Sequence, residues 1–307
     1  MLYVKKVIAL IALFFLAACQ PGGNLPADLN SPSTPIPDAE VTLPEFEHVV
    51  IIVFENKEYE DVIGNADMPV FNKFAEDYTL LTQYYGVRHP SLPNYISMIG
   101  GETFGITENC IDCFINAPSL PDLIEDSGRT WKTYQEDMPS PCFVGNDGSY
   151  AQKHNPFVYF DPIRLDQARC ESRVVPLDAL QADIEAGRLP NFIFITPNMC
   201  NNSHDCTLDV TDDWLAQQTE ALLPALEADG PDYLLVAMFE EGDDSLLDKA
   251  GGRVPVILIS PLVKNNYQDN TDYSHYSLLK TISRSWGLPY LGHAADMGTS
   301  LIAAPWK

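Results

Sequence analysis

The stretch Val49-Val50-Ile51-Ile52-Val53-Phe54-Glu55-Asn56 decides the fold class, because six consecutive apolar residues end in a carboxylate and an amide. A strand that is apolar on both sides belongs in a sheet covered on both faces, and such sheets are mostly parallel. Three other runs of this kind span residues 192–196, 233–239 and 254–259, and a weaker one spans 129–134. These runs predict the buried strands of one sheet.

Helical patterns separate the predicted strands. Ser119 is placed to cap a helix that ends at Gly128, and Gly187 and Gly287 follow two other apolar-periodic segments as helix stops. The predicted helices span residues 69–78, 119–126, 178–185, 211–228 and 274–286. Alternation of strand and helix predicts an α/β fold with a mostly parallel central sheet and helices on both faces.

Polar residues follow each of the four main strands. In open α/β sheets, ligands bind beyond the carboxyl ends of the strands. We therefore expect a functional site where these four segments end: Glu55-Asn56, Thr196-Pro197-Asn198, Glu240-Glu241 and Ser260-Pro261.

Glu55, Asn56, Glu240 and Glu241 offer only oxygen ligands. Such ligands suit one hard or borderline divalent cation, with Mg²⁺, Ca²⁺ and Mn²⁺ favoured. A cation would also relieve the repulsion between two adjacent carboxylates at one strand end. The alternative is that these acids are simply solvated on an acidic protein.

Ser91 lies in the segment His89-Pro90-Ser91-Leu92-Pro93, where it is placed to cap a helix with a proline in its first turn. A helix N-terminus favours an anion, and a nearby metal would stabilise a serine alkoxide. A plain helix cap is the alternative. His89, His154, His204 and His275 fall in polar contexts, where each could bind phosphate, hold a metal or protonate a leaving oxygen.

The composition excludes some classes of function. The chain has 307 residues, with 18 lysines and arginines against 43 aspartates and glutamates and a net charge of −25. No basic surplus exists to displace counterions from nucleic acid, so we expect no nucleic-acid partner. A hydrophobic fraction of 46% excludes wholesale disorder. The oligomeric state is left open.

The first eighteen residues look like a bacterial lipoprotein signal. Lys5 and Lys6 precede an apolar run over residues 7–16, and Leu16-Ala17-Ala18-Cys19 resembles a lipoprotein cleavage box. The sequence predicts a lipidated Cys19, a proline-rich linker over residues 19–44 and a folded domain over residues 45–307. The protein would then be lipid-anchored in the cell envelope, facing the periplasm or the exterior. An ordinary signal peptide with an incidental cysteine is the alternative.

Six cysteines remain once Cys19 is set aside. An even number in an exported protein favours disulfides. Proximity in the sequence suggests the pairs Cys110–Cys113, Cys142–Cys170 and Cys200–Cys206. A zinc site is the alternative, although the Cys110 and Cys113 pair lacks a second pair at finger-like spacing.

Several segments together resemble the phosphoesterase family that contains acid phosphatases and bacterial non-haemolytic phospholipases C. The resemblance covers residues 47 to 295 in order. It is carried by Phe54-Glu55-Asn56-Lys57, by Lys153-His154-Asn155-Pro156-Phe157 and by residues 89–95, 196–205, 252–255 and 273–279.

The resemblance implies an alkaline-phosphatase-like fold and metal-dependent hydrolysis of a small phosphate ester. It implies that Glu55, Asn56, Ser91, Glu240 and Glu241 hold one metal ion. Ser91 would be the nucleophile, His89, His154, His204 and His275 would assist, and Asn94, Asn198 and Asn202 would bind substrate.

The sequence departs from the family pattern at Glu240, where an aspartate is usual. Alternatives to a phosphomonoesterase are therefore a phospholipase C-type diesterase and a non-catalytic surface lipoprotein with a degraded metal site. A glycoside hydrolase built on a carboxylate pair is a more distant alternative.

Overall fold

The computed structural model describes residues 41–243 and 251–307. The predicted signal sequence, Cys19 and most of the linker lie outside the described residues, and the lipid anchor stays a prediction. The last linker residues contact the domain, since the carbonyls of Val41 and Pro44 accept hydrogen bonds from Arg284 and Ser285. Within the described residues, no helix combines the length and the apolar character needed to cross a membrane.

An eight-stranded sheet forms the centre of the domain, with the strand order β5-β4-β6-β1-β7-β8-β2-β9, and a two-stranded sheet pairs β10 with β3. The described strands are β1 His48–Phe54, β2 Thr79–Leu81, β3 Tyr84–Tyr85, β4 Trp131–Gln135, β5 Val174–Pro176, β6 Phe192–Thr196, β7 Tyr233–Phe239, β8 Val256–Ile259, β9 Tyr267–Asp269 and β10 Tyr273–Ser274. Every residue of β1, β6, β7 and β8 is buried, as their continuous apolar sequences predict.

Helices pack around this sheet. They are α1 Tyr59–Val62, α2 Pro69–Asp77, α3 Ser91–Gly100, α4 Leu120–Asp126, α5 Asp161–Arg164, α6 Gln167–Arg173, α7 Asp178–Glu185, α8 Leu208–Asp229 and α9 His275–Ser285. Short 3₁₀ turns span Gln152–His154, Pro156–Tyr159 and Gly292–Ala295. The Ser119 cap is confirmed, because Ser119 and Asp122 form a reciprocal capping box at the start of α4.

One strand runs against the rest of the large sheet. β1 pairs in parallel with β6 and β7, whereas β8 is antiparallel to both β7 and β2. The prediction that Ser260-Pro261 lies at the functional edge is therefore wrong, because the carboxyl end of β8 points to the opposite edge. The residues before β8 approach the functional edge instead, where the N–H of Gly86 donates to the carbonyl of Gly252 at 3.0 Å.

Three disulfides form in the described residues, in the pairs that sequence proximity predicts. Their Cα–Cα distances are 5.8 Å for Cys110–Cys113, 5.3 Å for Cys142–Cys170 and 4.7 Å for Cys200–Cys206. Because all six cysteines are paired, none of them is available as a zinc ligand. The disulfides close loops that follow β4, β6 and α3, near the carboxyl edge of the parallel strands.

Candidate active site

Glu55 and Asn56 lie directly after β1, at the centre of the sheet. Glu55 is fully buried, and its backbone N–H donates to the carbonyl of Asn202 at 2.9 Å. Asn56 has a φ of 54°, in the left-handed region that asparagine tolerates better than most residues. The Lys57 ammonium donates to the carbonyls of Asn56 and Ser203 at 3.1 Å each. These two hydrogen bonds of Lys57 tie the backbone at Asn56 to the segment that carries Ser203.

Glu240 and Glu241 follow the neighbouring strand β7, and their side chains are as buried as that of Glu55. The parallel pairing of β1 with β7 brings the two strand ends to one edge, and the N–H of Glu240 donates to the carbonyl of Phe54. One carboxylate oxygen from each of Glu55, Glu240 and Glu241 lies within 4.8 Å of the others. The predicted cluster of acids therefore forms.

Ser91 points its hydroxyl into this cluster. Its Oγ lies 2.6 Å from Glu55 Oε1 and 2.8 Å from Glu241 Oε1. The prediction that Ser91 caps α3 is wrong, because Ser91 is the first residue of the helix and Pro90 occupies the cap position. A serine caps a helix by turning its oxygen to the backbone N–H groups, whereas this hydroxyl faces two carboxylates.

Two nitrogen atoms lie close to the Glu55 oxygen that accepts from Ser91. Lys153 Nζ lies 2.5 Å and His154 Nε2 lies 2.9 Å from Glu55 Oε1. Asn202 donates from Nδ2 to Glu55 Oε2 at 3.2 Å and contacts His154 Nδ1 at 3.3 Å. Asn202 and His154 thus lie within the shell of groups around Glu55, and their roles in binding substrate and in catalysis stay predictions.

His89 and Asn94 lie on the side of Glu241. His89 Nδ1 lies 2.7 Å from Glu241 Oε2, and the His89 side chain is 21% exposed, so it reaches the mouth of the site. Asn94 accepts at Oδ1 from the N–H groups of Val87 and Arg88 and donates back to the Arg88 carbonyl. Asn94 therefore shapes the segment that carries His89.

The other predicted residues do not touch the carboxylates. His275 is fully buried, and its Nε2 donates to the backbone carbonyl of Glu240 at 2.7 Å. Asn198 accepts from the N–H groups of Cys200 and Asn201 and donates to Asp137, which makes it part of a turn. His204 is about one-third exposed and pairs with Asp205 at 2.6 Å. His275 thus positions the backbone at Glu240. The side chains of Asn198 and His204 pair with Asp137 and Asp205 and not with the three glutamates.

The pKa values of Glu55 and Glu240 are shifted in opposite directions. Burial alone would raise the pKa of Glu55, but His154 and Lys153 beside it hold that pKa well below its usual range. Burial and the neighbouring charges of Glu55 and Glu241 raise the pKa of Glu240 well above its usual range. Burial lowers the pKa of His154, and it lowers the pKa of His275 to about 4. Burial thus favours the neutral form of both histidines, while the attraction between His154 and Glu55 opposes this effect at His154.

The oxygen atoms of Glu55, Asn56, Glu240 and Glu241 fit a divalent cation. Among the described residues, neither carboxylate oxygen of Glu240 has a hydrogen-bond partner, and Asn56 Oδ1 also lacks one, although these atoms are buried. Buried polar atoms normally have partners, and a missing ion is one explanation for those that do not. Oxygen atoms from three carboxylates and one amide are the ligands that Mg²⁺, Ca²⁺ and Mn²⁺ prefer.

Sequence reasoning missed two residues of this site. Lys153 belongs to the matching segment 153–157, but its sequence carries no sign that it meets Glu55 and Ser91. Tyr95 lies one helical turn after Ser91, and the centroid of its ring lies 5.0 Å from that of His154 in a tilted arrangement. Its buried hydroxyl has no hydrogen-bond partner among the described residues. The spacing of residues 91 and 95 on one helix face was the available signal for Tyr95.

Comparison with known proteins places this chain in a family. The phosphoesterase family model matches residues 65–289. The chain is 33% identical over 270 residues to a phosphate-repressible acid phosphatase of Penicillium chrysogenum, with 84% of this chain and 63% of that protein covered. It is 32% identical over 262 residues to a phosphatidylinositol-3-phosphatase of Mycobacterium tuberculosis, with 84% and 83% covered. The chain thus spans less than two thirds of the fungal relative.

The fold agrees with a solved structure of a protein in the alkaline phosphatase superfamily from Vibrio parahaemolyticus. The two have a TM-score of 0.56 at 10% identity, over 82% of this chain and 70% of the other. At that identity the likeness concerns the fold alone, and it confirms the predicted alkaline-phosphatase-like architecture. Together with the match over residues 65–289, the sequence relatives show that this chain belongs to the phosphoesterase family.

Proposed function

We propose that the protein is a metal-dependent phosphomonoesterase that uses Ser91 as its nucleophile. The observation that carries this proposal is the position of the Ser91 hydroxyl between Glu55 and Glu241, at 2.6 and 2.8 Å. A hydroxyl has one proton and donates to one acceptor at a time, so two close carboxylates are excess negative charge around it. A cation bound by the three glutamates beside the serine oxygen would compensate this negative charge.

Glu55, Asn56, Glu240 and Glu241 would hold this cation, with the Ser91 oxygen beside it. A bound divalent cation supplies a Lewis acid that stabilises the deprotonated serine oxygen and neutralises phosphoryl charge. Ser91 loses its hydroxyl proton to solvent, and its oxygen bonds to phosphorus as the bond from phosphorus to the leaving oxygen breaks; water then hydrolyses the phosphoserine to serine and inorganic phosphate. His89, which pairs with Glu241 at the mouth of the site, is placed to donate a proton to the leaving oxygen.

The start of α3 supports the binding of a phosphoryl group. Ser91 is the first helical residue and Pro93 has no N–H, so only the N–H groups of Ser91 and Leu92 remain in the first turn without intrahelical partners. Asn109 accepts the Leu92 N–H at 3.0 Å, which leaves the Ser91 N–H for a phosphoryl oxygen. The positive end of the helix dipole adds a favourable field for an anion.

Phosphate monoesters are the substrate class that we favour. Both named relatives are phosphatases, one an acid phosphatase and the other a phosphatidylinositol-3-phosphatase. The phospholipase C alternative requires cleavage of a diester, and the non-catalytic alternative requires that Glu240 has lost metal binding. The lipid anchor at Cys19 remains part of this proposal, since a tethered phosphatase would act in the cell envelope.

The test is a comparison of substrates with and without metal. We expect release of phosphate from p-nitrophenyl phosphate, loss of that activity in EDTA, and recovery with added Mg²⁺, Ca²⁺ or Mn²⁺. Headgroup release from phosphatidylcholine that exceeds phosphate release from the monoester would favour the diesterase instead. A protein that binds none of the three ions and releases no phosphate would identify the non-catalytic alternative.

Glu240→Asp tests the departure from the family pattern. The structure brings the Glu240 oxygens into the cluster with a glutamate arm, so a shorter arm withdraws them from the shared position. We expect Glu240→Asp to bind Mn²⁺ about tenfold more weakly, as titration calorimetry would measure, and to lose activity at limiting metal. Tighter binding of Mn²⁺ or higher activity in the variant would contradict this expectation and show that Glu240 weakens the site relative to the aspartate of the family pattern.

A further inference from the structure

Lys153 contacts the carboxylate cluster and has no role in the chemistry proposed above. Its Nζ lies 2.5 Å from Glu55 Oε1 and 3.4 Å from Ser91 Oγ. The side chain is 16% exposed, so it borders the mouth through which a substrate would enter. The ammonium therefore touches both a proposed metal ligand and the proposed nucleophile.

Hydrogen bonds on both sides of Lys153 fix its backbone, and this directs the Lys153 side chain toward Glu55. The preceding residue, Gln152, is fully buried, accepts from the Gly145 N–H at 2.7 Å and donates to the Ile111 carbonyl at 3.0 Å. After His154, the buried Asn155 donates to the Tyr150 hydroxyl at 3.0 Å. Two loops, one of them closed by the Cys110–Cys113 disulfide, are thus tied to the turn that carries Lys153.

The charges of the cluster predict how many cations it accepts. Glu55, Glu240 and Glu241 carry three negative charges when they are ionised as ligands, and Lys153 supplies one positive charge. One divalent cation then brings these four side chains to neutrality, whereas two would leave an excess of positive charge. Buried charges that are not compensated are strongly unfavourable, so the balanced state is preferred.

We propose that the Lys153 ammonium takes the place of a second metal ion in this site. It compensates Glu55 and stabilises the negative charge on Ser91 Oγ and on the phosphoryl oxygens in the transition state. This inference rests on the proposed function, because it assumes that Ser91 reacts with phosphorus. It makes Lys153 a catalytic residue, whereas an ordinary ion pair would only stabilise the fold.

A second ion pair in the chain provides the matched control. Lys132 Nζ lies 2.5 Å from Asp183 Oδ2, and its side chain is 19% exposed. The distance and the exposure of the lysine resemble those of the pair between Lys153 and Glu55, although Asp183 is less buried than Glu55. This pair joins β4 to α7, away from the carboxylate cluster. A general effect of breaking a half-buried ion pair would therefore appear equally in Lys132→Met and Lys153→Met.

The experiment measures metal content, kinetics and charge rescue in the full chain. Wild type and Lys153→Met are each expected to bind one Mn²⁺ per chain by titration calorimetry. With p-nitrophenyl phosphate, kcat should fall about 10²- to 10³-fold in Lys153→Met, the range seen when a transition-state donor is removed. Lys132→Met should keep its kcat. Acid quenching should trap less phosphoserine in Lys153→Met than in wild type.

Restoring the charge separates catalysis from packing. Lys153→Cys treated with 2-bromoethylamine regains an ammonium on a side chain of nearly the same length, and it should recover most of the lost kcat. The same variant treated with iodoacetamide carries a neutral group of similar bulk and should stay inactive. Equal recovery with both reagents would show that Lys153 acts through packing and would overturn the inference.

Two other results overturn it. Wild type that binds two Mn²⁺ ions per chain would contradict the charge balance, and a kcat in Lys153→Met within threefold of wild type would remove the catalytic role. Both results leave the proposed function intact if wild type hydrolyses the monoester. A wild-type protein that binds no ion and hydrolyses no phosphate ester overturns the proposed function and this inference together.

Discussion

Ser91→Ala is expected to lower phosphatase turnover by about 10⁴-fold or more, while metal and phosphate binding persist. The alanine removes the oxygen that lies between Glu55 and Glu241 at 2.6 and 2.8 Å, but it leaves the backbone of α3 unchanged. The oxygen ligands of Glu55, Asn56, Glu240 and Glu241 also remain. Single-turnover kinetics with p-nitrophenyl phosphate and acid-quench trapping of phosphate on Ser91 would measure the effect.

Ser97→Ala is the matched control for this variant. Ser97 lies on the same helix and is equally buried, but its hydroxyl donates to the Pro93 carbonyl at 2.7 Å and has no recorded contact with the carboxylates. We expect Ser97→Ala to keep its turnover. If Ser91→Ala kept most of the wild-type rate, the nucleophile would be another group, and a water molecule in the site would be the next candidate.

Glu55→Gln is expected to abolish metal binding and, with it, activity. Glutamine has the shape of glutamate, so the fold should persist, but the charge that attracts the cation is lost. The Lys153 ammonium at 2.5 Å would then lack its counter-charge and would repel a cation from the site. Metal analysis after dialysis against Mn²⁺ should find about one ion per chain in wild type and none in the variant.

Asp183→Asn provides the comparison for Glu55→Gln. Asp183 is also a largely buried acid that pairs with a lysine, and it accepts a hydrogen bond from Tyr134 at 2.8 Å. Its replacement should destabilise the fold to a similar degree and leave the metal content at the wild-type value. Equal metal content in Glu55→Gln and wild type would refute the assignment of Glu55 as a ligand.

The strands that could be predicted are those that are buried along their whole length. Residues 192–196 and 233–239 form strands with the predicted bounds, because continuous apolar sequences of that length are stable only inside a covered sheet. The strands that were missed, such as Thr79–Leu81 and Val174–Pro176, have three residues each. A run of three residues is too short to show a periodicity, and its pairing depends on neighbours that are distant in the chain.

The direction of a strand also escaped prediction. The run 254–259 was recognised as a strand, but its sequence is as apolar as that of β7 and contains nothing that distinguishes a parallel from an antiparallel partner. The connection between β7 and β8 and the available edge of the sheet decide the direction. This is why Ser260 was assigned to the wrong edge while Glu240, at the end of the preceding strand, was assigned to the correct one.

By itself the sequence determined the fold class, the edge of the sheet that carries the acids, and the residue types in the site. These follow from local patterns, since apolar runs form buried strands and the polar residues after parallel strands share one edge. The family resemblance implied that Ser91 lies near Glu55 and Glu241, but only the tertiary structure decided its contacts with them, across 36 and 150 residues. The tertiary structure alone decided that Lys153 reaches Glu55 across 98 residues. Such contacts depend on strand order and on the path of the connecting loops, which no local pattern specifies.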